Sequence, residues 1–170
     1  MPEEIERVFL LDRLPDLPPH AAAWRIEQGY LPDPPAGSQP GTYYEGRLRR
    51  KVSPEGKEHF IHTIKSGQGL VREENERDIE ASEFDCEWAQ TLGRRISKTR
   101  YKVAEGPVVW EIDAFDEFPI VLAEVELESA DQTVEIPAWL APHVVSELTE
   151  DPRYRNYALA TVGLPADHPS

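Results

Sequence analysis

The chain has 170 residues, long enough for one domain with a real core. Its formal net charge of −14 repels nucleic acid and anionic lipid over long range, so no nucleic-acid partner is expected. No apolar run is long enough to cross a bilayer, the acidic start MPEEIERV lacks the apolar core of a leader, and the lone Cys86 excludes an intrachain disulfide and a thiolate zinc cluster. A cytoplasmic protein without a membrane partner is the expectation.

In chain order, EIERVFL (4–10) alternates as a strand does, and RIEQGYL (25–31) follows the same pattern. HAAAWRIEQ (20–28) is also compatible with a helix. LPDPPAGSQPG (31–41) holds too many prolines and glycines for either and reads as a surface connection. Strands are then predicted at TYYEGRLRRK (42–51), HFIHTIKSG (59–67) and VREENERDIE (71–80). ASEFDCEWAQTL (81–92) reads as a helix with Ser82 capping its first turn. RISKTRYKV (95–103), VVWEIDAF (108–115) and IVLAEVELES (120–129) complete eight antiparallel strands. Helices are predicted at PAWLAPHVVSELT (137–149) and PRYRNYALATV (152–162), the latter with Pro152 in its first turn. GLPADHPS (163–170) reads as a frayed, flexible tail of the single domain 1–170.

Strand parity sorts the charges. Glu124, Glu126 and Glu128 oppose Val121, Ala123, Val125 and Leu127; Glu111 and Asp113 oppose Trp110 and Ile112. Arg47, Arg49 and Lys51 share a face with Glu45, while Lys98, Arg100 and Lys102 line up on another strand. Arg72, Glu74 and Glu76 fall on one face, and Thr63 and Lys65 on one face of theirs. A single strand of this kind is usually the solvated side of a half-buried sheet. Here the signs segregate by strand and the apolar faces could meet the helices, so the charged faces are expected to turn inward. Closing eight strands into a barrel achieves this, giving an α+β fold: a closed eight-stranded antiparallel β-barrel with helices packed outside.

Buried charge of both signs needs counter-charge, and a polyphosphate with divalent metals supplies it. Arginine and lysine pair with phosphate oxygens, and paired carboxylates hold hard ions such as Mg²⁺ or Mn²⁺. The candidate pairs are Glu4/Glu6, Glu111/Asp113 and Glu124/Glu126. His20, His59, His62, His143 and His168 form no metal-ligand motif and read as structural. Cys86 reads as a packing residue, and Trp24, Trp88, Trp110 and Trp139 as core anchors.

From EIERVFL through RLR, TIKSG, REENE, SKTRY, WEIDAF and LAEVELES to TEDPRYRNYALA, the chain resembles the CYTH proteins, or triphosphate tunnel metalloenzymes, especially their small bacterial members. The resemblance implies metal-dependent hydrolysis of inorganic tripolyphosphate to pyrophosphate and phosphate, with Mg²⁺ or Mn²⁺ bridging carboxylates and phosphate oxygens. It implies that Arg47, Arg49, Lys65, Arg72, Lys98 and Arg100 bind the phosphates. Glu4, Glu6, Glu111, Asp113, Glu124 and Glu126 would form the metal sites, with Glu74 and Glu76 as lining acids. Glu4, Glu6, Arg49, Lys98 and Arg100 carry the catalytic roles. The family signature E-x-E-x-K is matched by Glu4 and Glu6, but Val8 stands where lysine is usual. Lys51 and Lys102 have the parity to replace that charge, and Arg153 or Arg155 could reach the tunnel mouth. The valine favours, as an alternative, a module that binds polyphosphate or nucleotide without turnover. Nucleoside or thiamine triphosphates are further substrate options, and the exposed barrel surface is compatible with a homodimer.

Overall fold

The computed structural model describes residues 5–32, 43–68 and 71–169, with the backbone alone at 43, 67, 68 and 71–73. Nine strands form one antiparallel sheet: β1 (Ile5–Leu11), β2 (Ala22–Leu31), β3 (Tyr43–Val52), β4 (Glu58–Gln68), β5 (Val71–Asp78), β6 (Arg95–Glu105), β7 (Val108–Phe115), β8 (Val121–Leu127) and β9 (Val144–Glu147). Their order is β5-β4-β3-β2-β6-β7-β8-β1-β9. The 31–41 connection lies mostly outside the described residues.

The sheet is not the closed eight-stranded barrel that parity suggested. β5 and β9 are its two edges, and no ladder joins them among the described residues. The physical reason lies at β1, whose outer edge is occupied by β9 through Phe9↔Glu147, Leu10↔Ser146 and Leu11↔Val144. β9 falls within the segment expected to be helical. Pro142 and the β-branched pair Val144–Val145 disfavour a continued helix, so PAWLAPHVVSELT gives turns and an edge strand instead.

Although open, the sheet is rolled. Laid flat, β4 and β1 would stand ~29 Å apart at the usual strand spacing, yet residues from both line one cleft. The register puts the charges on the concave side as parity predicts. Val8, Glu124, Glu111 and Lys102 form one cross-strand line, and Asp113, Arg100 and Trp24 lie in the next. Tyr30, Arg47, Thr63 and Glu76 form another. On the convex side Phe9, Val103, Trp110, Ile112, Val125 and Leu127 make the main core. Leu140, with Val134, Ile136 and Trp139 around it, covers that core, so an irregular segment takes the place of the expected helix.

The helices divide between the two sides. α1 (Ala81–Trp88) packs outside, with Phe84 against Phe60 of β4 at 5.1 Å between ring centroids. Its N-cap is Glu80, with no side-chain capping bond, not Ser82. The turn after it places Thr91 where a Cβ on Gly29 would come within 2.5 Å, so β2 needs glycine there. α2 (Asn156–Thr161) is a correction to the expectation of external helices: it lies on the concave side. Leu159 and Ala160 pack with Leu10, Tyr30, Ile96, Phe115 and Leu122, which fill one end of the roll with an apolar plug. Residues after α2 fold back, since Leu164 joins that plug and the Tyr154 hydroxyl and His168 Nδ1 lie 2.8 Å apart. Cys86 is exposed, not packed. No helix among the described residues is long and apolar enough to cross a membrane.

Candidate active site

A cleft of about 540 Å³ opens between the two limbs of the rolled sheet. One limb contributes Glu6, Val8 and Glu124; the other contributes Tyr30, Glu45, Arg47 and Lys65. The segment Leu148–Ala158 closes it, with Arg155, Asn156 and Tyr157 facing the space. Its volume is that of a typical small-molecule site.

The β6–β8 side is an internally compensated charge network. Arg100 donates two parallel bonds to Asp113, from Nε at 2.8 Å and Nη2 at 2.9 Å. The same guanidinium reaches Glu111 at 3.1 Å and Glu124 at 3.5 Å. Lys98, with no exposed surface, donates to Asp113 at 2.8 Å and to Asn156 of α2 at 3.0 Å. Burial would raise the Asp113 carboxyl, but Lys98 and Arg100 outweigh it and hold Asp113 well below the usual carboxylate range. Burial pulls the Lys98 ammonium down to about 8 despite Asp113. Burial and then Asp113 push Glu124 up to about 7, with Glu6 adding repulsion, because Lys98 and Arg100 are already shared.

The β2–β4 side is different. Arg47, Arg49 and Lys65 make no ion pair among the described residues. Arg49 donates from Nε to Gln28 Oε1 at 2.9 Å, and Gln28 Nε2 donates to the Tyr30 hydroxyl at 2.9 Å. Burial, then Arg47 and Arg100, hold the Arg49 guanidinium well below its ordinary value. Arg47 donates to Thr63 at 3.3 Å, and Thr63 donates to Glu76 at 3.4 Å, while Arg47 Nε is buried without a partner. No carboxylate among the described residues forms an ion pair with these cations.

Comparison with protein-family models finds no match. The chain is 41% identical over 163 residues to an inorganic triphosphatase of Nitrosomonas europaea, covering 92% of this chain and 96% of that protein. The chain belongs to the inorganic triphosphatase family. The crystal structure of the inorganic triphosphatase NE1496 superposes with a TM-score of 0.66 at 35% identity, covering 97% of this chain and 99% of that one. The PH1819 protein of Pyrococcus horikoshii OT3, at 17% identity and a TM-score of 0.51 over 76% of this chain and 80% of its own, shares the fold.

Within this family member, the residues singled out by parity are distributed unevenly. Glu6, Glu124, Arg47 and Lys65 line the cleft, and Arg49, Lys98 and Arg100 lie on its inner sheet face. Glu111 and Asp113 are engaged by Arg100, and Glu126 stands opposite Glu6. Glu74 and Glu76 project from exposed β5. Glu4 and the Arg72 side chain lie outside the described residues. Val8 packs beside the apolar plug, and its backbone is tied to Leu148 and Thr149, which explains an apolar side chain there. Lys51 and Lys102 do not replace its charge; both sit over Trp24 instead. Arg155 reaches the cleft, whereas Arg153 pairs with Asp151 and Asp167.

Sequence reasoning missed Gln28, Tyr30 and Asn156. A signal existed for Gln28: one polar residue between Ile26 and Tyr30 on an otherwise apolar strand face. Asn156 gave none, because α2 was placed on the wrong side of the sheet. Among the described residues no three His, Cys, Asp or Glu side chains are grouped to hold a metal ion. Ions of the magnesium type need only one or two carboxylates, with water and phosphate completing the shell. Glu6 and Glu124 fit that requirement: both line the cleft, and burial, then Asp113 and Glu6, disfavour a bare charge on Glu124.

Proposed function

We propose that this chain hydrolyses inorganic tripolyphosphate to pyrophosphate and orthophosphate on the concave face, with Mg²⁺ or Mn²⁺ held by Glu6 and Glu124. The observation that carries the reading is the cleft's division: Arg47 and Lys65, which make no ion pair among the described residues, face Glu6 and Glu124 across it, and Arg49 follows Arg47 on the same sheet face. Arg47 and Arg49 would grip phosphate oxygens through their guanidinium forks, and Lys65 would add a point charge. Gln28 fixes the Nε side of Arg49, which leaves its terminal nitrogens to aim at the substrate. Charge then gathers on the equatorial and leaving oxygens as the P–O bond breaks, and these preorganised cations stabilise it. A divalent ion, when bound, supplies Lewis-acid neutralisation of that charge and polarises attacking water. Lys98 and Arg100 compensate Asp113 and Glu111 of β7. The lone Cys86 and the acidic composition support a cytoplasmic setting without a nucleic-acid partner.

Val8 favours a second reading, a protein that binds triphosphate without turning it over. Phosphate release from tripolyphosphate, ATP and thiamine triphosphate, measured with Mg²⁺ or Mn²⁺, separates the two. Release from tripolyphosphate above the others supports the hydrolase; tight binding with no release on any of them removes it. Val8→Lys then reports whether the apolar position limits turnover.

A further inference from the structure

Beyond Arg49 and Arg100, away from the cleft, the concave face carries a second cationic feature. Trp24 of β2 lies between Lys51 of β3 and Lys102 of β6. Each ammonium sits 4.9 Å from the indole centroid. His59, opposite Lys51 on β4, contacts the same ring at 6.1 Å. Neither lysine makes an ion pair among the described residues. Glu111, which stands opposite Lys102, is engaged by Arg100. Burial, then Lys102, Arg49 and Arg100, lower the Lys51 ammonium from its ordinary value. In a chain of net charge −14, such crowding of cations around one half-buried ring is anomalous. The ring's π system attracts each ammonium without neutralising it.

The strands give the cluster its direction. Arg47, Arg49 and Lys51 follow one another on one face of β3 at about 7 Å per step. Lys98, Arg100 and Lys102 do the same on β6, but Lys98 and Arg100 are taken by Asp113. The free cations therefore run from the cleft past Arg49 to the Trp24 pair. We propose that Lys51 and Lys102, poised on Trp24, form a second anion subsite that takes one further phosphate group. That group is either free orthophosphate or the end of a chain longer than three phosphates. The assignment rests on the triphosphate reading of the cleft only for its choice of phosphate as the anion.

The test is metal-free titration calorimetry with sodium orthophosphate, tripolyphosphate and tetrapolyphosphate, alongside tryptophan emission. Wild type, Lys51→Met/Lys102→Met, Lys51→Arg/Lys102→Arg and Trp24→Phe are compared, with circular dichroism checking the fold. Wild-type protein saturated with tripolyphosphate is expected to take up orthophosphate, or to bind tetrapolyphosphate at least tenfold tighter than tripolyphosphate. The first outcome assigns the subsite to the free anion and the second to a longer chain. The methionine pair should lose that increment tenfold or more with tripolyphosphate affinity changed less than about threefold, the arginine pair should restore it, and Trp24→Phe should lose the emission change. Absence of both increments in the wild type, or equal loss of all three ligands in the methionine pair, overturns the subsite. Failure of the cleft reading looks different: tripolyphosphate is neither bound nor hydrolysed, while orthophosphate still perturbs Trp24.

Discussion

The two limbs of the rolled sheet both carry charges on the concave face and use them in opposite ways. On β6–β8, Lys98, Arg100, Asp113 and Glu111 compensate one another, with Asp113 receiving bonds from both cations. On β2–β4, neutral Thr63 and Gln28 hold Arg47 and Arg49, and neither these two nor Lys65 makes an ion pair among the described residues. One limb is a preformed salt that fixes the sheet. The other is half of a salt, and under the proposed function its partner is the substrate. Buried cations satisfied by an amide instead of a carboxylate are therefore the better guide to a binding surface.

The largest break in this contrast is expected from Asp113→Ala. It strands Lys98 and Arg100 without their shared counter-ion, and urea unfolding should show a loss of about 3–5 kcal/mol. Arg49→Met should do the reverse. It removes an uncompensated buried charge, so stability should hold or rise, while kcat/KM for tripolyphosphate falls roughly 10²–10³-fold. A comparable loss of stability in both variants would abolish the distinction between the limbs.

Glu124 tests the boundary between them. Its folded pKa, about 7, lies above its unfolded value of 4.5, so the native state binds the extra proton. Its contribution is fully present below pH 4.5 and is lost as pH rises through about 7. Wild type should lose about 1–3 kcal/mol relative to Glu124→Gln across that window when metal and phosphate are absent. Equal pH slopes for the two proteins would show that Glu124 is fully compensated already. The smallest effect belongs to the exposed pair Arg25–Asp116 on the rim: Asp116→Ala should cost less than about 1 kcal/mol and leave activity unchanged.

Much of this was legible in the sequence, because a period of two assigns faces without knowledge of the third dimension. Arg47, Arg49, Lys98, Arg100, Glu111, Asp113 and Glu124 all occupy the concave face that parity gave them. Parity says nothing about closure, which depends on what covers the edge of β1, and a four-residue strand decides that. It is equally silent on which charges neutralise each other. Arg49 and Arg100 look alike in sequence; only the neighbouring strand reveals that one meets Gln28 and the other Asp113. Trp24 shows the same limit. It reads as a core anchor, yet it belongs to neither apolar cluster and instead carries two ammoniums, each 4.9 Å from its ring.

The unjoined edges have a mechanical consequence. In a closed barrel the bore is set by strand number and shear, so it cannot widen without breaking ladders. A roll with two free margins can uncurl by small changes of twist spread over many residues, with every backbone hydrogen bond kept. Across the cleft, the limb bearing Arg47 and Lys65 therefore meets the opposite limb through side chains, Tyr30 against Leu122 and Leu159 in the plug, and through no ladder among the described residues.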